Sequence, residues 1–237
     1  MTAEMTTPTV QMCRSCGGGA SVDVHFCPQC TKILSLGRHG DYFAFLGVPR
    51  KLNLDEAELD QRFRQLSRQF HPDYFYNASP AERRASLERS SYLNDAYRTL
   101  RQPISRIAYL LELEGESGAV LGSGAPPRRE ELQVPPALLE EVFALNEELD
   151  AVRHERAGGA AEHEWKGRLD RARAPIEAKR AEHEAELREL SARWDELADR
   201  GASASERGPV LFALRDRMLE RNYISNLLAG IERELTQ

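Results

Sequence analysis

Residues Gly115 to Pro136 divide the chain. Gly, Pro and Ser crowd this stretch, which contains Pro126-Pro127 and Pro135-Pro136. Such a composition buries too little apolar surface to offset the entropy of ordering its backbone, so it reads as a linker. Each flank must then build a core of its own. Outside a short cysteine-rich segment neither flank alternates as strands do, and both follow helical spacing. The predicted class is all-α: a helical hairpin module over 41–114 and a C-terminal three-helix bundle over 137–237. A small cysteine-rich segment over 13–37 precedes them. Residues 1–12 read as disordered and 115–136 as the linker.

The terminal flank has the clearest period. Leu138, Val142, Leu145, Leu149 and Val152 recur at steps of four and three, an inward stripe that Gly158-Gly159 ends. Trp165, Leu169, Ile176, His183, Leu187, Leu190, Trp194 and Leu197 share one face of a second helix. Pro175 lies inside that pattern and should kink or split it, because proline lacks the amide donor and crowds the preceding turn. Gly201 to Gly208 reads as a turn. Leu211, Leu214, Met218, Leu228, Ile231 and Leu235 make the third stripe, and the short connections imply an antiparallel bundle.

Charge limits the partners. The chain carries a net −6 with a pI of about 5.6, which argues against nucleic acid. Residues 41 to 110 hold eleven basic and nine acidic residues, so this module is slightly basic and the rest is acidic. Two surfaces with different partners are expected. No run approaches the ~20 apolar residues that span a bilayer, and no membrane partner is expected. Met1 to Met12 contains Glu4 but no Lys or Arg, unlike a secretory signal or a basic transit peptide. The expected compartment is a reducing bacterial cytoplasm, with the mitochondrial matrix as the alternative.

All four cysteines fall in one pattern, Cys13-x-x-Cys16 and Cys27-x-x-Cys30. Two such pairs supply four thiolates for a tetrahedral ion, and zinc is the expected metal. Four protein ligands leave no open position, so the role is structural. The competing readings, disulfides or a redox pair, need an oxidising compartment or a βαβ context. His25 is surplus to a four-cysteine site and reads as a surface residue. No histidine pairs with a cysteine or serine in a catalytic spacing, and an enzyme is not expected.

The middle module begins with a short apolar helix, Asp41-Tyr42-Phe43-Ala44-Phe45-Leu46, ended by Gly47. Asp55 and Glu58 start the next helix, whose buried stripe is Leu59, Phe63, Leu66 and Phe70. Arg64 and Arg68 lie on one side of that stripe and Arg62 on the opposite flank. Pro72 disfavours helical geometry at His71 and stops the helix there. A ring nitrogen, a proline and the Asp73 carboxylate are thereby set at a loop tip, where the carboxylate can accept charge-assisted bonds from a partner arginine. Ser79-Pro80-Ala81-Glu82 then opens a helix through Leu87, Leu93, Ala96, Tyr97 and Leu100. Pro103 closes it, and Ile104 to Leu113 form one more short helix.

Two antiparallel helices joined by His71-Pro72-Asp73, after a short Asp-Tyr-Phe helix, resemble the J-domain. The resemblance extends through Arg68-Gln69-Phe70-His71-Pro72-Asp73-Tyr74-Phe75, Leu93-Asn94-Asp95-Ala96-Tyr97-Arg98-Thr99-Leu100, Pro103-Ile104-Ser105-Arg106 and Tyr109-Leu110-Leu111. With a helical bundle behind it, the chain is similar to the HscB-type iron–sulfur cluster co-chaperones, some of which carry a preceding four-cysteine segment.

The resemblance implies docking on a DnaK/HscA-type heat-shock ATPase through His71, Pro72, Asp73, Arg62 and Arg68, and Arg64, on the same side of the stripe as Arg68, is expected to join them. It also implies delivery of an IscU-type scaffold bound at Leu139, Phe143, Glu147 and Tyr223. Glu140 stands where the family usually has methionine, and Ala144 where it has glutamate. The competing reading is a J-domain protein with a different client, recruited by its zinc segment or its bundle.

Overall fold

The computed structural model describes residues 10–21, 24–36, 41–115 and 138–236. The predicted linker, apart from Gly115, lies outside these residues, as does most of the leader predicted to be disordered. The leader's last three residues are ordered: Val10–Met12 form strand β1, paired antiparallel to β2 (Gly19–Ser21) with Gln11 opposite Ala20. Seven α-helices follow among the described residues. They fall into two compact units, one ending at Arg106 and the other beginning at Ile107.

In the first unit, α1 (Tyr42–Leu46) is capped by the Asp41 carboxylate, which accepts from the Ala44 amide at 2.9 Å. Gly47, at φ 68°, ends it in the left-handed conformation that costs a residue without Cβ little. Helix α2 (Glu56–Phe70) starts on Asp55, whose side chain accepts from the amides of Ala57 and Glu58. It buries Leu59, Leu66 and Phe70, while Phe63 is half-buried and stacks on Tyr97 at 4.1 Å. Helix α3 (Pro80–Arg101) opens with a reciprocal capping box between Ser79 and Glu82, worth about 1 kcal/mol. Its buried face runs Ser86, Arg89, Leu93, Ala96 and Leu100. Leu87, predicted on that face, is exposed: it sits six residues from Leu93, off the helical period.

Two buried arginines replace apolar side chains in this unit. Arg106 donates through Nε to the Leu100 carbonyl at 2.6 Å and also bonds the carbonyls of Leu52 and Arg101. Arg89 reaches back to the cysteine segment. That segment is therefore not separate from the hairpin module but packed into one unit with it. Helix α4 (Pro103–Leu113) spans the boundary between the units.

The second unit is simpler. Helices α5 (Leu139–Ala157), α6 (Glu162–Asp199) and α7 (Ala204–Thr236) pack as a bundle. Leu138, Val142, Leu145, Val152, Trp165, Leu169, Ile176, Ile224 and Ile231 form one apolar seam, with Leu149, Leu228 and Leu235 partly buried against it. Each fully buried aliphatic side chain contributes roughly 1.5–3 kcal/mol on leaving water. Two sequence expectations fail here. Pro175 does not split α6, which continues through it from Glu162 to Asp199. Nor is Gly208 in a turn: α7 starts four residues earlier, at Ala204, with Ser203 bonded to Glu206 and Pro209 in its second turn. His183, fully buried on the seam side, has its Nε2 2.9 Å from a Glu220 carboxylate oxygen. The two groups are close, but the approach is not aligned as a hydrogen bond, and burial disfavours the charged form of each.

Candidate functional site

The two cysteine pairs sit in near-identical turns. The Cys13 carbonyl accepts from the Gly17 amide and the Cys27 carbonyl from the Thr31 amide, at 2.8 and 2.9 Å. The fourth residue after each leading cysteine is left-handed, Gly17 at φ 74° and Thr31 at φ 59°. A threonine holds that conformation only when its surroundings impose it. The turns aim backbone amides at the leading sulfurs. The amides of Cys16 and Ser15 lower the Cys13 thiol to about 6. Those of Cys30 and Gln29 lower Cys27 likewise.

The four sulfurs lie within 4.8 Å of one another, with Cys13 to Cys30 at 3.6 Å and Cys16 to Cys27 at 3.7 Å. None is in a disulfide. Four thiolates around an ion at ~2.3 Å stand about 3.8 Å apart along each edge of the tetrahedron, so the residues fit a tetrahedral metal. Charge points the same way. At Cys30 the Lys32 amide pulls the pKa down, yet burial and the three neighbouring sulfurs push it up to about 12. Four thiolates so close require a cation to ionise together.

His25 departs from its predicted place. It is half-buried, its ring edge-on to Phe45 at 4.8 Å and to Phe70 at 5.0 Å, and its Nδ1 is 2.7 Å from an Arg89 guanidinium nitrogen. Arg89 was missed in the sequence. The available signal was an arginine at a stripe position where 89, 93, 96 and 100 share one helical face.

At the loop tip, His71 ends α2 in an extended conformation (φ −58°, ψ 125°), and Pro72–Phe75 form a single 3-10 turn. The His71 Nδ1 accepts the Asp73 amide at 3.3 Å. With that lone pair engaged, the neutral ring carries its proton on Nε2. The Asp73 carboxylate is 87% exposed and lies 3.5 Å from the same Nδ1. Tyr74 and Tyr76 beside it are also exposed. The tip is held from below: the Phe70 carbonyl accepts the hydroxyls of Ser86 at 2.6 Å and Ser90 at 2.9 Å. Arg62, Arg64 and Arg68 are all exposed on α2, Arg62 near Glu58 and Arg64 near Asp60 at i,i+4 spacing. Exposed pairs of that kind contribute little stability and leave the cations available to a partner.

On α5, Leu139 is 39% and Phe143 66% exposed, with Glu147 exposed one turn further along the same face. They lie beside the buried stripe and not in it. Tyr223 is half-buried against the seam.

Comparison with known proteins gives the following. Residues 41–109 match the DnaJ domain family. The human iron–sulfur cluster co-chaperone protein HscB is 35% identical over 148 residues, 61% of this chain and 60% of the relative. The co-chaperone protein HscB of Proteus mirabilis is 35% identical over 114 residues, 48% of this chain and 61% of the relative. These matches span about three fifths of each relative's length. The crystal structure of human co-chaperone protein HscB superposes with a TM-score of 0.64 at 26% identity, covering 94% of this chain and 98% of that one.

Proposed function

Since the chain carries a DnaJ domain and is a homologue of the HscB co-chaperones, we propose that it acts as a co-chaperone in iron–sulfur cluster assembly. In this reading it docks on a DnaK/HscA-type ATPase, stimulates hydrolysis and delivers an IscU-type scaffold to it. The observation that carries the reading is the His71-Pro72-Asp73 tip. An imidazole N–H donor and a carboxylate acceptor stand exposed side by side, anchored through Phe70 to the hairpin. A partner arginine could take the Asp73 carboxylate with charge-assisted bonds. Arg62, Arg64 and Arg68 supply the long-range attraction for an acidic face of the ATPase. Leu139, Phe143 and Glu147, with Tyr223, form the client surface, since an exposed apolar patch usually marks a partner site.

The four cysteines hold structural zinc, which ties together a segment too short for a core of its own. A reducing compartment, bacterial cytoplasm or mitochondrial matrix, keeps those thiols available. Among the described residues no helix is long and apolar enough to cross a membrane.

The test is His71→Gln. Stimulation of a DnaK-type ATPase should be abolished, with circular dichroism and melting unchanged because the side chain is exposed. Full stimulation by the variant would overturn the reading. Binding of purified IscU-type scaffold then separates this client from another one.

A further inference from the structure

The cysteine segment and the His71-Pro72-Asp73 tip are bridged by Arg89. Its side chain is fully buried. It donates through Nε to the Leu34 carbonyl at 2.8 Å and through Nη2 to the Ser35 carbonyl at 3.3 Å, and Nη1 meets His25 Nδ1 at 2.7 Å. All three acceptors belong to the hairpin that bears Cys27 and Cys30. Phe26 and Ile33 bridge its two arms, the Cys27 amide bonds the Lys32 carbonyl, and the Leu34 amide bonds the His25 carbonyl. The other side of the guanidinium faces the Phe70 ring at 5.7 Å and the Phe45 ring at 6.0 Å.

Phe70 is the residue before His71. Its ring rests on Arg89 and His25, and its carbonyl is held by Ser86 and Ser90, which flank Arg89 on the same turn of α3. The far end of the tip is tied to the same hairpin. Lys32 is 2.9 Å from Glu82, the residue that closes the capping box on Ser79. Both ends of the tip are thus referred to the one hairpin that bears Cys27 and Cys30.

We infer that Arg89 is a positioning residue through which metal loading of the four cysteines sets the geometry of the His71-Pro72-Asp73 tip. Without the metal the hairpin has too small a core to hold its shape. Arg89 then loses its three acceptors, and a cation cannot stay buried among Phe45 and Phe70 without them. The turn carrying Ser86 and Ser90 must shift with it, and the Phe70 anchor is lost. The consequence for docking rests on the reading of the tip as the chaperone trigger; the coupling itself does not.

The experiment uses the full chain, loaded with Zn2+ or stripped by a chelator under reducing conditions. Amide exchange is followed in residues 71–79, with α6 as internal control. Stripping should speed exchange in the tip by about ten-fold and leave α6 unchanged. In Arg89→Met loaded with zinc, the tip should already exchange at the stripped rate, and stripping should add less than about two-fold, the non-additivity expected of coupled sites. A tip whose exchange is unchanged when zinc is demonstrably gone overturns the inference. If Arg89→Met fails to fold, Ser86→Ala with Ser90→Ala keeps Arg89 and the cysteines and frees only the Phe70 carbonyl. A full ten-fold zinc dependence persisting in that variant overturns it equally.

Stimulation of a DnaK-type ATPase is measured in parallel and should fall on stripping. Stimulation unaffected by stripping counts against the inference. A loaded chain that never stimulates, while its tip still responds to zinc, overturns the docking reading and supports the coupling.

Discussion

The two units solve the same problem with different materials. The second buries long helices against one another along an apolar seam running from Leu138 to Ile231. The first packs an apolar core that includes Phe43, Leu59, Phe70, Leu93 and Leu100 around two buried arginines, Arg89 and Arg106, satisfied mainly by backbone carbonyls. An apolar seam tolerates imperfect geometry, because the hydrophobic effect is non-directional. A buried guanidinium does not: each donor left without an acceptor is costly. The first unit is accordingly the one whose shape depends on distant segments being in place, and it carries the exposed tip.

The sharpest test of this contrast is to remove the metal by substitution. Cys27→Ser with Cys30→Ser should abolish metal binding, expected to be one zinc per chain, and destabilise the first unit by roughly 3–5 kcal/mol, as expected when a buried charge loses its partners. The second unit should melt unchanged. A single transition at the native temperature, with zinc absent from the protein, would break the comparison.

The next test concerns the surfaces. Leu139→Ala with Phe143→Ala should weaken IscU-type scaffold binding by about ten-fold or more, given the ~2 kcal/mol typical of truncating a binding hot spot. Melting should be nearly unchanged and ATPase stimulation without scaffold retained. A sharp fall in melting temperature with affinity intact would assign both residues to the bundle core.

Smaller effects probe the seam. Pro175 is exposed, and the seam residues on either side of it, Leu169 and Ile176, are fully buried. Pro175→Ala should raise the melting temperature of the second unit, by an amount corresponding to about 1 kcal/mol, because helix propensity is regained without disturbing packing. No change or a loss would mean the helix relies on its proline.

The smallest effect is pH dependence. Burial, with the Arg217 charge behind it, holds His183 below its ordinary pKa. The folded state therefore prefers the neutral ring, and that stability is present above 6.5 and lost as pH falls from there toward the folded value. Burial also raises Glu220. Its stability contribution is present below 4.5 and lost as pH rises through its folded value, so it works against the histidine. His183→Leu should flatten the fall in melting temperature between pH 7 and 5.5. An equal slope in the variant would exclude His183 as its source.

The same contrast governs what the sequence disclosed. The stripes of α5, α6 and α7 were legible because residue type and burial coincide there: of the eight positions assigned to α6, only Leu190 is less than buried. Periodicity could not reveal that α6 continues through Pro175, whose side chain is exposed. The cysteine pairs and the His-Pro-Asp tip were legible from spacing alone. Arg89 and His25 were not, because their roles come from residues more than fifty positions apart meeting inside one core. Only an arginine in register with Leu93, Ala96 and Leu100 marked the place.

The span of that contact also imposes an order on synthesis. The Leu34 carbonyl and the Arg89 guanidinium are separated by 55 positions. At ~5–20 residues per second, the cysteine hairpin leaves the ribosome roughly 3–11 s before the helix that needs it. Metal capture can therefore be complete before Arg89 exists. On the inference above, a nascent chain deprived of metal would reach the α3 stage with a charged side chain and no ordered acceptors to receive it. If Arg89 depends on the loaded hairpin as inferred above, chelator added during synthesis should lower the yield of folded chain more than chelator added afterwards.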